Sequence, residues 1–104
     1  MFEMIRAQVF IDKDRIGEAN LNVIDEYMGV LGGSMTASPE YKKYRMRVQA
    51  ITISKGGANS EVFPFSIVIE NGVVLQSIGG VTLIDSPQFG EFYVEIAGVD
   101  LLNL

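Results

Sequence analysis

The side chains with which this chain could do chemistry are thirteen Asp and Glu, eight Lys and Arg, and four Tyr; it has no His and no Cys. Without Cys there is no thiolate nucleophile, no disulfide and no cysteine zinc site. Without His the usual general base at neutral pH is missing, together with every Ser-His-Asp or Cys-His arrangement and the commonest transition-metal ligand. Catalysis would fall to carboxylates, Lys, Tyr or Ser, and the carboxylates are not spaced for it. Asp25 and Glu26 are neighbours and would point to opposite sides of a strand. Glu91 and Glu95 would share a strand face but lie about 13 Å apart, too far for one to tune the other. The sequence therefore assigns no catalytic residue and no cofactor, and the chain reads as non-enzymatic.

Two patterns resemble ligand sites and fail on inspection. Asp12-Lys13-Asp14-Arg15-Ile16-Gly17-Glu18 has the D-x-D start and sixth-position Gly of a calcium loop. Ile16 stands where an oxygen ligand belongs, however, and position twelve is Val23 rather than Glu, so no metal is expected. The pairs Gly32-Gly33, Gly56-Gly57 and Gly79-Gly80 lack phosphate-loop spacing and read as turns.

The cations are the concentrated feature. The stretch YKKYRMRVQAITISKGG, residues 41–57, holds Lys42, Lys43, Arg45, Arg47 and Lys55, five of the chain's eight Lys and Arg. Residues 41–60 carry no acid and so stand at +5, while the rest, with three cations against thirteen acids, stands at −10. A confined basic patch on an acidic body suits an anionic partner. A nucleic-acid reader would interleave stacking aromatics with the cations; in a strand, Tyr44 alternates away from Arg45 and Arg47, which makes nucleic acid the minority reading. Lys and Arg also protect sheet edges from unwanted pairing. The second candidate contact is the apolar close of the chain, Leu101, Leu102 and Leu104, read as a docked final strand or an interface.

The elements that must position these residues show a period of two rather than 3.6. Ile5, Ala7, Val9 and Ile11 alternate with Arg6, Gln8 and Phe10; DKDRIGEAN reads as a turn, and LNVIDEYMGVL as one bent strand or two short ones. Gly32-Gly33-Ser34 and the segment through Ser38-Pro39 break the pattern. Alternation returns from Tyr44, with Tyr44, Met46, Val48 and Ala50 on one face. Asn71-Gly72, between VFPFSIVI and VVLQSI, predicts a β-hairpin, because both central residues of a type I′ turn need positive φ. Pro64 places the first arm at an edge, a bulge or a strand start. VTLI and GEFYVEIAGVDLLNL complete the strands. Ser-Pro occurs twice, each time predicting about one helical turn before a strand. One domain over residues 1–104 is expected: an antiparallel β-sandwich of seven to nine short strands, with a small β-barrel as the alternative.

SPEYKKYRMRVQA (38–50) also aligns with SPQFGEFYVEIAG (86–98), placing Lys43 and Arg47 opposite Glu91 and Glu95. Paired strands there could match opposite charges. FIDKDRIGEANLNVIDEYMGV and FGEFYVEIAGVDLLNL resemble the opening and close of a family of small bacterial β-sandwich proteins of unknown function, with a "GKLNIIGAF"-type second strand and a "PGEYRFEL" strand near the end. The chain departs from that pattern at Glu18-Ala19-Asn20, where the family has an acid-Gly turn. The resemblance implies the fold and no activity.

No apolar run approaches the ~18 residues of a membrane span, and Glu3, Arg6 and Gln8 interrupt any leader-like start. A cytoplasmic location and no membrane partner are expected. The functional expectation is a binding or assembly module, itself a homo-oligomer or bound to another protein, contacting its partner through the basic strand and the C-terminal strand. The alternative is a small binder of nucleic acid or another anionic ligand through residues 42–55.

Overall fold

A computed structural model describes residues 4–103. Strands β1 (Ile5–Ile11), β2 (Asp14–Asp25) and β3 (Val30–Ala37) lead to a 3-10 turn (Pro39–Lys43) and a helix, α1 (Arg45–Lys55). β4 (Ala58–Asn59), β5 (Phe65–Ile69), β6 (Ser77–Ser86) and β7 (Glu91–Val99) follow, and Leu101–Asn103 form a last 3-10 turn. All pairings are antiparallel, in one sheet of order β4-β6-β7-β3-β2-β1-β5.

The sheet has to curl. Its two edges, β4 and β5, are consecutive in the chain and joined only by residues 60–64. Six flat inter-strand spacings would hold them ~29 Å apart, whereas that connection reaches at most ~21 Å fully extended. It is shortened further where Asn59 O accepts from the amides of Val62 (2.9 Å) and Phe63 (3.2 Å). The result is a half-barrel wrapped around its own core, with Ala7, Val9, Ile11, Leu21, Leu31, Val94, Ile96, Val81, Leu83 and Ile67 buried. The mostly antiparallel β class is as expected. A second, stacked sheet is not found among the described residues, and the barrel-like alternative is compatible with what is.

Several local expectations hold. The Asn71-Gly72 turn forms, both residues taking positive φ (74° and 75°), with Ile69 N to Val73 O and Leu75 N to Ile67 O each 2.9 Å, but the second arm of the expected hairpin is not a strand: a single bridge, Val68 to Val74, joins it to β5. Pro64 directly precedes the edge strand β5, and each Ser-Pro opens a single 3-10 turn. Others are corrected. Only Asp12 and Lys13 turn in DKDRIGEAN, the rest belonging to β2, and Gly32-Gly33-Ser34 lies inside β3. The chain's close is not a strand: β7 stops at Val99 and a 3-10 turn follows.

The largest correction concerns residues 45–55, which are helical rather than a strand. Tyr44, Val48, Ile51 and Thr52 follow the i, i+4, i+7, i+8 spacing of a helical face, with Val48 and Thr52 buried against the sheet. Beyond β4, the outer edge of β6 has no strand partner, and α1 covers it: the Asp85 amide donates to Thr52 Oγ1 at 3.2 Å. The expected pairing of Lys43 and Arg47 with Glu91 and Glu95 falls with the strand, since β7 lies between β3 and β6. The 48-residue echo therefore joins a helix to a strand.

Candidate functional site

The basic segment is held against the sheet by a buried polar network. Ser38 is fixed first: its amide donates to Ile16 O (2.8 Å) and its hydroxyl accepts from Arg15 Nη1 (2.8 Å). One turn on, Tyr41 is completely buried, its ring 4.9 Å from that of Phe92. Its hydroxyl donates to Asp85 Oδ2 at 2.7 Å, and the same oxygen accepts from Gln49 Nε2 at 3.3 Å. Thr52 closes the set by donating to Val48 O at 2.8 Å while receiving the Asp85 amide. Burial, reinforced by the bond to Asp85, pushes the Tyr41 hydroxyl well above its usual range. Buried polar groups are tolerated only when bonded, and no buried side-chain nitrogen or oxygen among the described residues lacks a partner.

The five predicted cations fall around this seam in different states. Arg45 lies over the Tyr41 ring, 5.3 Å from its centroid, and Arg47 over the Phe63 ring at 4.8 Å. Lys43 pairs with Asp14 at 3.4 Å. The carboxylate of Asp14 also accepts from the Tyr44 hydroxyl, and that bond, followed by Lys43, holds Asp14 below its ordinary value. Lys42 and Lys55 are exposed, and among the described residues neither has an ion-pair partner. Four of the cations gather at the start of α1 and Lys55 stands at its far end, and the two Arg planes already rest on this chain's own rings. Those rings, Tyr41 and Phe63, are buried and offer nucleic-acid bases no face to stack on.

Sequence alternation missed the outer face of α1. Met46 is 84 % exposed and Ile53 82 %, and exposed Ala50 lies between them on the same side of the helix. An apolar ridge thus runs along the solvent face of the basic helix. The first turn of α1 has no acidic residue, while Lys42, Lys43, Arg45 and Arg47 gather around its start, where the helix macrodipole favours negative charge.

At the base of the helix, Arg45, Gln49, Asp85, Glu91 and Phe92 line an open cleft of about 300 Å³. Asp85 Oδ2 is occupied by two donors there, and Tyr41 is sealed beneath it. The arrangement fastens the helix to the sheet.

The predicted C-terminal contact divides. Leu101 is buried in the core, Leu102 is 92 % exposed, and Leu104 lies outside the described residues. Leu101 and Leu102 join Val99, Asp100 and the turn containing Glu26, Tyr27 and Gly29 around a groove of about 530 Å³. Gly29 makes the groove possible: at φ +68°, a Cβ there would come within 2.3 Å of Val99 O, and its own carbonyl accepts from the Val99 amide at 3.0 Å.

Among the described residues no group of three or more His, Cys, Asp or Glu is placed to hold a metal ion, and no helix is long and apolar enough to cross a membrane. Comparison with protein families, with curated proteins and with solved structures finds no match to this chain.

Proposed function

We propose that the protein is a non-enzymatic assembly module that self-associates or binds another protein, contacting its partner through α1 and the C-terminal end of the chain. The observation that carries this reading is the exposed Met46–Ala50–Ile53 ridge bordered by cations. A helix with apolar residues on both faces has one face committed to its own core and one left over. The second face costs the folded monomer hydrophobic exposure, and the crowded cations at the helix start cost it further through the macrodipole. Departures from local rules of this kind gather at functional surfaces. An acidic partner with apolar surface would relieve both.

Binding of nucleic acid or another anionic ligand through residues 42–55 is less well supported, because Lys43, Arg45 and Arg47 are engaged within the chain. Multi-angle light scattering over a wide concentration range tests self-association. The mass is expected to rise above the 11.4 kDa of one chain with concentration and to fall back as salt screens the cations. A strict monomer at every accessible concentration would remove the self-association half of the proposal.

A further inference from the structure

The groove and the ridge are complementary. Residues 24–30 and 98–102, which build the groove end, contain Asp25, Glu26 and Asp100 and no cation, whereas residues 42–55 contain five cations and no acid. Both surfaces have apolar centres: Tyr27 (95 % exposed) and Leu102 flank the groove, and Met46 and Ile53 crown the helix. A groove of about 530 Å³ falls within the ~300–1,000 Å³ of clefts that seat a ligand. The ridge, seven residue steps from Met46 to Ile53, is about 10 Å long.

The two surfaces of one chain cannot meet. The helix lies against the Thr82–Ser86 half of β6, as the Thr52–Asp85 bond and the approach of Gly57 to Thr82 show. The groove lies by Val99, which pairs with Ser77 at the other end of β6, and the eight residue steps from Ser77 to Asp85 span about 26 Å. Contact of like surface on like surface is electrostatically poor, because helix on helix opposes five cations with five and groove on groove opposes three acids with three.

We infer that the protein associates head to tail, the α1 ridge of one copy seating in the Tyr27–Leu102 groove of the next. This rests on the assembly reading above and names its partner as a second copy of this chain. Made reciprocally, this contact closes a two-fold dimer; made in one direction only, it repeats into a larger ring if the rotation closes and a filament if it does not.

Two variants, each disabling one surface, test this by sedimentation velocity: Met46→Asp on the helix, which opposes the acidic groove, and Tyr27→Lys with Leu102→Lys at the groove, which opposes the basic helix. All three positions are exposed, and circular dichroism checks that each variant is folded. Each alone is expected to stay monomeric at concentrations where the unmodified chain assembles. Mixed one to one, they are expected to form a species of twice the monomer mass and nothing larger, because the pair retains one working helix and one working groove. If the unmodified chain assembles and the mixture stays monomeric, the head-to-tail contact is wrong while self-association stands. If the unmodified chain is monomeric at all concentrations, the self-association half of the proposed function fails and takes this inference with it. Binding of the monomer to vesicles of phosphatidylcholine and phosphatidylserine, abolished by Met46→Asp but not by the groove variant, would assign the ridge to a membrane surface and overturn the inference.

Discussion

Replacing Tyr41 by Phe removes one oxygen from the centre of the helix–sheet seam. The ring stays, and with it the contacts to Phe92 and Arg45, so no cavity term arises. What is lost is the 2.7 Å bond from a fully buried hydroxyl to Asp85 Oδ2, leaving that oxygen with Gln49 alone at 3.3 Å. A hydrogen bond to a charged group contributes about 1.5–3 kcal/mol, and an under-satisfied buried acceptor costs on the same scale. With an unfolding entropy of ~2.1 cal/mol/K per residue over 104 residues, 1 kcal/mol corresponds to about 4.6 °C, so Tm is expected to fall by ~7–14 °C. Urea unfolding followed by circular dichroism should show a lower midpoint at an unchanged m-value. The pH profile supplies a second signature. Burial and the Asp85 bond raise Tyr41 above its ordinary 10.0, so its contribution is complete below pH 10 and is lost as pH rises towards the folded value. The alkaline fall in stability should accordingly be shallower in Tyr41→Phe than in the parent. A variant within 0.5 kcal/mol of the parent, with the same alkaline limb, would refute the assignment of this bond as the anchor of α1.

Two further outcomes follow from the same seam. Asp14 is held low chiefly by the Tyr44 hydroxyl and then by Lys43, so the stability it contributes is present above its ordinary 3.8 and is lost as pH falls through the folded value; Tyr44→Phe should flatten that acid limb in unfolding titrations. Val48→Ala should cost about 1–3 kcal/mol through lost burial and a cavity, whereas Met46→Ala should change monomer stability by no more than ~0.5 kcal/mol. A strand would put Met46 and Val48 on one face, so equal effects in urea unfolding at low protein concentration would contradict the helix.

Much of the sheet was legible because its cause is local. Ala7, Val9 and Ile11 alternate inward and are buried as alternation requires. Asn71-Gly72 dictates its own turn, since few other pairs adopt two positive φ values without strain. The curl of the sheet was not legible. It follows from the pairing of β3 with β7 and β1 with β5, contacts far apart in sequence that set β4 and β5 at opposite edges while only residues 60–64 join them. The buried polar seam was hidden for a related reason. Tyr41 and Asp85 lie 44 residues apart, and only the folded sheet brings a surface-type residue such as Asp85 under a helix.

The helix was missed for a different reason, one that bears on function. Periodicity detects a helix by contrast between a buried apolar face and a polar outer one. In α1 the inner face carries Tyr44, Val48 and Ile51 and the outer face carries Met46, Ala50 and Ile53, so the contrast at a period of 3.6 is small. Tyr44, Met46, Val48 and Ala50 meanwhile imitate a period of two. Had positions 46, 50 and 53 been Glu, Lys and Gln, the i, i+4, i+7 pattern of the inner face would have stood out and the segment would have read as helical. The residues that disguise the helix are therefore the ones left uncovered when it folds. The ambiguity of RMRVQAITISK and the exposed ridge of α1 have one physical origin: apolar side chains beyond the number this domain's own core can bury.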